Sequence, residues 1–576
     1  MHYRSILAMY GKKLLYGSEI VIKTLLFEKV EYIFGYPGGA IMPIYDSLYD
    51  YSNSISHVLM RHEQGSIHAA QGYARATGKI GVCFTTSGPG ATNLITGLAD
   101  ALIDSTPIVC ITGQVSSHLL GTDAFQETNI IDISTPVTKW NIQVLKAKEI
   151  CESIQKGFFI AKKGRPGPVL IDITKDAQFQ KTVFNYNTNC EYIKNFHPYP
   201  PCIENHRIIE AANLINSAER PLIVVGQGVI LAEAEEEFRN FVEKTGIPVA
   251  STLLGLGALN CNHRLYVGML GMHGNYAPNI LTNQCDILIA VGMRFDDRVT
   301  GDVKKYARQA KIIHLEIDSS EINKNVLCHI PILGDCKITL KKLIFHINES
   351  FHNKKWIDKF FFLNKKEKAT VIKGDVNPER ETISMGEVIK WINQYKQRNA
   401  ILVTDVGQHQ MIASRYFNFT SKRSQITSGG LGTMGFALPA SIGAKLGAKN
   451  RQVICVVGDG GIQMTIQEMG TILQNKIPVK IILLNNNFLG MVRQWQQLFF
   501  DKRYSCTKLV NPDFIKLANA YDIKAKKVSR REELESSVKK ALNHEKAFLL
   551  EVLIEKEENV FPMIPTGASV DEIRLT

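Results

Sequence analysis

The stretch VICVVGDGGIQMTIQEMGTILQNKIPVKIILLNN, residues 453–486, decides the fold of this chain. Two short apolar runs flank a glycine turn and a helical segment, which predicts a βαβ unit with buried parallel strands. Residues 82–114, VCFTTSGPGATNLITGLADALIDSTPIVCITGQ, repeat the pattern without a gap, with Gly88 opposite Asp459 and Pro107 opposite Pro478. The two stretches therefore predict two copies of one fold.

Similar strand and helix patterns alternate along the rest of the chain. Apolar runs such as PLIVVG, CDILIAVG and AILVTDVG are separated by helical patterns, which is typical of α/β domains with doubly wound parallel sheets. Composition breaks at 185–202 and 346–368 are interpreted as linkers. We therefore predict three α/β domains at 12–185, 200–345 and 375–555, followed by a C-terminal arm at 556–576.

The composition is that of an ordinary globular protein and excludes several classes. The 576 residues are 45% hydrophobic and 21% charged, without the apolar run of about 18 residues that spans a membrane. The N-terminal apolar run is too short for a signal peptide, so we predict a cytoplasmic protein without a membrane partner. The 11 cysteines contain no CxxC spacing, which argues against a zinc site. The net charge of +12 is spread along the chain, so no nucleic-acid partner is expected.

Two polar side chains of the third domain each follow a predicted strand. A right-handed parallel crossover would bring Asp459 and Asn486 to the carboxyl edge of one sheet, where a single cation can bind both. Few ligands, all of them oxygen, favour Mg²⁺ completed by phosphate oxygens. Gly458, Gly460 and Gly461 let the backbone approach a phosphate at a helix N-terminus. The sequence thus predicts a site for Mg²⁺ and a diphosphate.

Residues 458–487, GDGGIQMTIQEMGTILQNKIPVKIILLNNN, resemble the diphosphate-binding motif of thiamine-diphosphate enzymes. The outer domains would then bind the pyrimidine and the diphosphate of that cofactor. In this family a glutamate of one subunit's pyrimidine domain hydrogen-bonds the aminopyrimidine ring of the cofactor on a partner subunit, and Glu63 in RHEQGSIHAA matches it. The resemblance implies that Glu63 holds a proton on the ring nitrogen and so activates the cofactor. Taken alone, Glu63 would be a surface carboxylate near a helix start.

Nearly the whole chain is similar to the catalytic subunits of acetohydroxyacid synthase, also called acetolactate synthase. The stretches that carry this resemblance include FGYPGGAIMPIYD, TSGPGATNLITGLADA, GTDAFQE, GRPGPVLIDITKD, VGMRFDDR, TDVGQHQM, SGGLGTMGFALPA and LGMVRQWQ. It implies decarboxylation of pyruvate and transfer of the hydroxyethyl unit to pyruvate or 2-ketobutyrate, the first common step of valine, leucine and isoleucine biosynthesis. It also implies thiamine diphosphate, Mg²⁺ and FAD as cofactors, a homodimer with active sites at the subunit interface, and a small regulatory subunit. Whether the oligomer is a dimer or a tetramer stays open.

The resemblance also assigns cofactor contacts. Met434 would wedge under the bent cofactor, although core filling is the commoner role of methionine. The backbone carbonyl of Phe488 would be a third ligand of the metal beside Asp459 and Asn486. The other residues expected to contact the cofactor, besides the glycine turn, are Val406, Gly407, Gln408, His409, Gly432, Gly490 and Met491.

Substrate residues follow from the same motifs. Trp495 would favour 2-ketobutyrate as acceptor by packing its extra methyl group, and Arg294 would hold the acceptor carboxylate with its guanidinium fork. Phe125 is expected to contact the substrate at the active-site entrance, and Gln126 and Lys175 are expected to be catalytic groups there.

The middle domain is expected to bind FAD. Its VVGQGVI carries two glycines of a dinucleotide fingerprint but Leu231 at the third, so this signal is weak. Because the reaction needs no redox step, FAD would be structural. The resemblance places its binding residues at Arg165, His273, Arg294, Glu316, Asp318 and Asp335.

The chain departs from the family pattern at a few positions, and other activities are alternatives to acetohydroxyacid synthase. Gly461 stands where serine is usual, Thr465 stands where asparagine is usual, and the tail diverges after PMIP, with effects that stay open. Pyruvate oxidase and glyoxylate carboligase are the nearest alternatives. Arg294 and Trp495 argue against both, and the second lacks a counterpart of Glu63. A non-catalytic homologue would be expected to have lost its catalytic groups, which are intact here.

Overall fold

The computed structural model describes residues 13–186, 203–348 and 353–576, so most of the predicted linker at 185–202 lies outside the described residues. The chain forms two compact units. The first contains the N-terminal domain together with Gly430–Lys449 and Met464–Pro478. The second contains the middle domain and the rest of the C-terminal domain, from Pro198–Gly429, Asn450–Gln463 and Val479–Thr576.

The N-terminal domain is built on a parallel sheet of six strands. Including two strands outside this sheet, the strands of the domain are β1 (Leu14–Tyr16), β2 (Tyr32–Gly35), β3 (Ser56–Leu59), β4 (Gly81–Thr85), β5 (Ile108–Gln114), β6 (Trp140–Val144), β7 (Pro168–Thr174) and β8 (Lys181–Val183). Its helices are α1 (Gly17–Phe27), α2 (Met42–Tyr49), α3 (Glu63–Thr77), α4 (Pro89–Thr92), α5 (Ile95–Ile103), α6 (Ile130–Ser134), α7 (Ala147–Lys162) and α8 (Lys175–Phe179). The sheet order is β3-β2-β4-β5-β7-β6, and β1 pairs with β8 in a separate antiparallel ladder.

The middle domain has a second six-stranded parallel sheet. Its strands are β9 (Pro221–Val225), β10 (Val249–Ser251), β11 (Tyr266–Met269), β12 (Ile287–Val291), β13 (Lys311–Glu316) and β14 (Ile330–Leu333). Its helices are α9 (Asn205–Asn216), α10 (Gln227–Leu231), α11 (Glu235–Thr245), α12 (Tyr276–Thr282), α13 (Asp297–Thr300) and α14 (Cys336–His346). The sheet order is β11-β10-β9-β12-β13-β14. Numbered within the domain this is 3-2-1-4-5-6, the order of dinucleotide-binding sheets.

The C-terminal domain has the third sheet. Its strands are β15 (Ile401–Thr404), β16 (Gln425–Thr427), β17 (Val453–Gly458), β18 (Lys480–Asn485), β19 (Lys524–Val528) and β20 (Phe548–Leu553). The remaining helices are α15 (Lys354–Glu367), α16 (Lys373–Val376), α17 (Met385–Tyr395), α18 (Gln408–Tyr416), α19 (Ala437–Gly447), α20 (Asp459–Met464), α21 (Met469–Asn475), α22 (Gly490–Phe499), α23 (Phe514–Ala520) and α24 (Leu534–Asn543).

The strand orders of the two outer domains confirm the predicted duplication. The C-terminal sheet runs β16-β15-β17-β18-β20-β19, and all its neighbours are parallel. Counted from the first strand of each domain's main sheet, both outer sheets have the order 2-1-3-4-6-5. The βαβ unit quoted first is β17-α20-α21-β18, and its N-terminal counterpart is β4-α4-α5-β5.

Helix α15 corrects one prediction. The stretch 346–368 was interpreted as a linker, but Lys354–Glu367 is an α-helix. Its Trp356 and Phe360 are fully buried against the sheet of the middle domain, and the Trp356 Nε1 donates a hydrogen bond to the Pro221 carbonyl at 2.9 Å. The helix is Lys-rich on its exposed face, so its composition resembled that of a linker. Trp356 and Phe360, spaced by four, form the buried stripe.

Small residues bring α3 and α19 into backbone contact within the first unit. A Cβ at Gly72 would lie nearest the Ala440 carbonyl oxygen and 2.6 Å from its carbonyl carbon. A Cβ at Gly443 would meet the Ala69 carbonyl in the same way. Glycine at these two positions therefore sets how closely the helices approach.

Residues 564–573 pack onto the middle domain. The backbone N–H of Ile564 donates to the Met272 carbonyl at 2.9 Å, and the Asp302 N–H donates to the Ala568 carbonyl at 2.9 Å. Ile564, Val570 and Ile573 are buried in the core that contains α15. Among the helices of the described ranges, none combines the length and the apolarity needed to cross a membrane.

Candidate active site

Asp459 and Asn486 lie at the same edge of the C-terminal sheet, where the sequence places them. Asp459 begins α20 directly after β17, Asn486 directly follows β18, and the two strands are parallel neighbours. Both side chains are buried. The Asn486 Oδ1 accepts a hydrogen bond from the Phe488 N–H at 3.1 Å, which turns the chain after β18.

The carboxylate of Asp459 is desolvated and has an amide as its neighbour. Burial raises the pKa of Asp459 to about 6. Asn511 Nδ2 donates to Asp459 Oδ2 at 2.7 Å and also reaches the Oδ1 atoms of Asn485 and Asn487 at 3.1 and 3.2 Å. No group of three or more His, Cys, Asp and Glu side chains suited to a metal occurs in the described residues. A cation here would therefore use one carboxylate, amide or carbonyl oxygens, and a ligand's own oxygens, as Mg²⁺ does.

Two buried polar atoms near the ends of β17 and β18 lack partners within the described residues. These are Gln408 Oε1 and His409 Nε2, both at the start of α18. A Cβ at Gly490 would lie 2.9 Å from Asn486 Nδ2 and 3.0 Å from Gln408 Cδ, and one at Gly458 would lie 3.0 Å from His409 Nδ1. Since buried polar groups are nearly always hydrogen-bonded, these atoms fit contacts to a polar ligand.

The other residues predicted around the cofactor divide between the two units. Val406 and Gly407 lie in the turn between β15 and α18, Gly460 and Gly461 lie in α20, and Met491 lies in the first turn of α22. Gly461 approaches Asp405, whose Cγ would be 2.9 Å from an added Cβ. Gly432 and Met434 belong to the first unit. Their segment is held by the Gly430 N–H, which donates to Asp104 Oδ1 at 2.8 Å.

Glu63 is the first residue of α3. It is half-buried, and its Oε2 accepts a hydrogen bond from Asn93 Nδ2 at 2.9 Å. A Cβ at Gly90 would lie 3.4 Å from Glu63 Oε1, so that glycine leaves room beside the carboxylate. The positive end of the helix dipole favours a carboxylate at this position.

The predicted entrance residues lie in one loop and at one strand end of the first unit. Phe125 is 88% exposed, and Gln126 has a left-handed backbone with φ 61°. The Gln126 carbonyl lies against Gly88, where an added Cβ would be 2.7 Å away. Lys175 begins α8 at the carboxyl end of β7. The structure thus brings Gln126 to Gly88, the counterpart of Asp459 in the duplicated fold.

Of the residues predicted to bind FAD, three carboxylates accept hydrogen bonds from backbone N–H groups close in sequence. The Asp318 carboxylate accepts from the Ser320 N–H at 3.0 Å, and the Asp335 carboxylate caps α14 through the Lys337 N–H at 2.9 Å. The Glu316 carboxylate accepts from the N–H groups of Ile317 and Asp318. These hydrogen bonds explain why carboxylate residues occur at these three positions even when no ligand is considered.

The remaining predicted residues differ in their surroundings. His273 is buried with Nδ1 unpartnered in the described chain, and burial lowers its pKa to about 4. Arg294 Nε lies 3.6 Å from Asp296 Oδ2. Arg165 belongs to the first unit, where its Nε donates to Ser105 Oγ at 2.9 Å. Trp495 is half-buried on α22.

Comparison with known proteins places this geometry in a family. The N-terminal TPP binding domain model of thiamine pyrophosphate enzymes matches residues 15–133, the central domain model matches 208–343, and the C-terminal TPP binding domain model matches 405–552. The acetolactate synthase isozyme 2 large subunit of Escherichia coli (strain K12) is 43% identical over 564 residues, covering 97% of this chain and 99% of that protein. The chain belongs to the acetolactate synthase large-subunit family.

Other members of the acetolactate synthase large-subunit family match over a similar extent. The large subunit of Lactococcus lactis subsp. lactis (strain IL1403) is 43% identical over 560 residues, covering 97% of this chain and 96% of that protein. The probable large subunit of Methanococcus aeolicus is 44% identical over 572 residues, covering 97% and 95%. Thiamine pyrophosphate is thiamine diphosphate, so the predicted fold and cofactor class are confirmed.

Two residues of this acetolactate synthase family member were not identified from its sequence. Asn511 contacts Asp459 from 52 positions away, and Glu468 contacts Arg61 from 407 positions away. Asn511 does not stand in a run of sequence that by itself indicates a ligand. Glu468 does occur within the diphosphate motif, ten residues after Gly458, and that position was the available signal.

Proposed function

We propose that this protein is the catalytic subunit of an acetolactate synthase. It decarboxylates pyruvate and transfers the hydroxyethyl unit to a second pyruvate, giving 2-acetolactate, or to 2-ketobutyrate, giving 2-aceto-2-hydroxybutyrate. The observation that carries the proposal is the 43% identity to an acetolactate synthase large subunit over 97% of the chain. These products belong to the first common step of valine, leucine and isoleucine synthesis, in the cytoplasm.

The C-terminal domain holds the cofactor's diphosphate in this proposal. Asp459, Asn486 and the Phe488 carbonyl bind Mg²⁺, and the unpartnered atoms Gln408 Oε1 and His409 Nε2 support a polar ligand beside them. When bound, thiamine diphosphate supplies the carbon nucleophile for the keto acid and accepts the electrons released with CO₂. Further contacts come from Val406, Gly407, Gly432, Met434, Gly460, Gly461, Gly490 and Met491.

The chain's own catalytic groups act on protons and on the substrate. Glu63 holds a proton at the ring nitrogen of the cofactor, and its place at the start of α3 keeps the carboxylate fixed and partly desolvated. Gln126 and Lys175 act at the entrance, with Phe125 contacting the substrate. Phe125 is 88% exposed on the isolated chain, which supports an active site completed in a homodimer.

Substrate selection and the second cofactor involve the middle domain and α22. Arg294 holds the acceptor carboxylate, and Trp495 packs the extra methyl group of 2-ketobutyrate. The 3-2-1-4-5-6 sheet supports a dinucleotide at the middle domain, so we assign it a structural FAD. Its contacts are Arg165, His273, Arg294, Glu316, Asp318 and Asp335. The unpartnered, buried Nδ1 of His273 supports the assignment most directly.

Subunit composition and domain limits complete the proposal. The relatives are named large subunits, and we infer a small regulatory subunit as partner. The domains span 12–185, 200–345 and 375–555, with 556–576 as an arm. Residues 354–367 extend the middle domain.

A pyruvate assay tests the proposed function. Purified protein is supplied with thiamine diphosphate, Mg²⁺ and FAD, and acetolactate is followed without an added electron acceptor. We expect acetolactate from the native protein and its loss in Glu63→Gln. Glu149→Gln, which changes a half-buried glutamate in the first turn of α7, is the matched control and should retain full activity. Acetate or reduced flavin in place of acetolactate would instead indicate an oxidase.

A further inference from the structure

A buried carboxylate lies beneath the start of α3, the helix that Glu63 begins. Glu468 is 0% exposed and directly precedes α21. Its Oε1 and Oε2 accept hydrogen bonds from the Arg61 backbone N–H at 3.1 and 3.2 Å, and its Oε2 also accepts from Thr471 Oγ1 at 2.7 Å. One side chain thus fixes the backbone two residues before Glu63.

The same carboxylate supports the backbone on the other side of Glu63. Gly65 lies against Glu468, and a Cβ at Gly65 would be nearest the Oε1 atom and 2.9 Å from the Cδ. Glycine here lets the first turn of α3 rest on the carboxylate. Residues 61 and 65, which bracket Glu63, therefore contact one buried group.

Arg61 provides a second attachment between the same elements. Its Nη2 donates to the Gly470 carbonyl at 3.2 Å and to Gln474 Oε1 at 2.8 Å, and its Nη1 donates to the Leu59 carbonyl at 3.0 Å. Thr471 Oγ1 also reaches the Leu59 carbonyl at 3.3 Å. The turn between β3 and α3 is thereby tied to α21 through both backbone and side chain.

We propose that Glu468 is a positioning residue for Glu63, holding the 61–65 turn so that the Glu63 carboxylate meets the cofactor ring in hydrogen-bonding geometry. The proposal rests on the proposed function of Glu63. Proton transfer depends on such geometry, and a misplacement of about 1 Å can cost on the order of a hundredfold in rate. Burial raises the pKa of Glu468 to about 7, because the charged carboxylate is desolvated. Strongly shifted pKa values are common at functional sites, which agrees with the geometry described above.

The first test is kinetic and uses the holoenzyme. Glu468→Ala should lower kcat for acetolactate formation by about 10–100-fold while KM for pyruvate stays within about twofold, since the substrate contacts are unchanged. In the Glu63→Gln background the same substitution should have no further effect, because it acts through Glu63. An equal loss in both backgrounds would show an independent structural role and overturn the proposal.

The second test needs neither cofactor nor activity. Amide hydrogen exchange of the cofactor-free protein should accelerate at least about tenfold in residues 61–66 of Glu468→Ala, with no change in β4. Unchanged exchange at 61–66 overturns the positioning role, whatever the assay shows. If acetolactate is never formed but exchange accelerates, the proposed function has failed and the attachment of the turn stands.

Further variants separate positioning from general destabilisation. Glu468→Gln keeps an acceptor for the Arg61 N–H and should restore most of kcat. Gly65→Ala perturbs the same contact from the side of α3 and should lower kcat as much as Glu468→Ala does. It therefore tests the proposal even if the Glu468→Ala protein folds poorly. Glu387→Ala removes another buried glutamate, one paired with Arg531 in the second unit, and should leave kcat and the exchange of residues 61–66 unchanged.

Discussion

The contact between α3 and α19 makes a quantitative prediction for Gly72→Ala. Alanine is the better helix former, by about 1 kcal/mol in a helix interior, so an unobstructed site would be stabilised. At this site the new Cβ would lie 2.6 Å from the Ala440 carbonyl carbon, whereas ordinary contacts start at 3.4 Å. The helices must therefore separate by about 1 Å. The obstacle is backbone and cannot rotate away, so we take the upper part of the usual overpacking cost, about 3 kcal/mol.

The net expectation is a loss of about 2 kcal/mol, opposite in sign to the helix propensity. Thermal unfolding followed by circular dichroism should show a midpoint lowered by about 4–8 °C, if the affected unit behaves like a domain of about 200 residues. Gly374→Ala is the control, because Gly374 lies in α16 with nothing within 4 Å of an added Cβ. It should melt at or slightly above the native midpoint. A Gly72→Ala protein that melts as high as this control would refute the reasoning.

Three further outcomes are expected. Asp459→Asn should weaken the Mg²⁺-dependent binding of thiamine diphosphate, measured by calorimetry. Loss of a residue that only supports a metal ligand typically weakens metal binding by roughly 10–100-fold, and loss of a direct ligand should weaken it at least as much. Unchanged binding would show that Asp459 is not a ligand of the metal. Trp495→Leu should lower the ratio of 2-aceto-2-hydroxybutyrate to 2-acetolactate about tenfold in a competition assay, whereas a constant ratio would contradict its selective role. Burial raises the pKa of Glu558 to about 7, above its unfolded value, so its contribution to stability is lost as the pH rises through 7. Glu558→Gln should therefore show a shallower fall of the unfolding midpoint between pH 5 and 8, and an identical slope would argue against this titration.

The duplicated fold could be predicted because its signal is local. Strand, turn and helix follow one another within each of the stretches 82–114 and 453–486, and short apolar runs bounded by glycine carry the period. The same reasoning placed Asp459 and Asn486 at one sheet edge, since a parallel crossover leaves few alternatives. The sequence pattern was therefore sufficient to predict the arrangement of the strands and the positions of two residues of the candidate site.

What could not be predicted depends on contacts between distant parts of the chain. Asn511 and Glu468 acquire their partners only through the fold, and although Glu468 lies within the diphosphate motif, that motif does not indicate its contact with Arg61. The two glycines of VVGQGVI match part of a dinucleotide fingerprint, yet Gly226 and Gly228 pack against the backbone of Gly292. A glycine demanded by chain packing and one demanded by a ligand look alike in sequence.

The burial of residues 564–573 has a consequence for synthesis on the ribosome. The middle domain's sheet ends at Leu333, but the core on one of its faces includes Ile573, about 240 residues later. At roughly 5–20 residues per second the nascent domain waits about 10–50 s with that apolar face incomplete. The middle domain is therefore synthesised early, but its core is completed only when the C-terminal residues emerge. Chaperones would be most needed during the interval between these two events. A premature stop codon before residue 564 would leave the same face permanently open to aggregation.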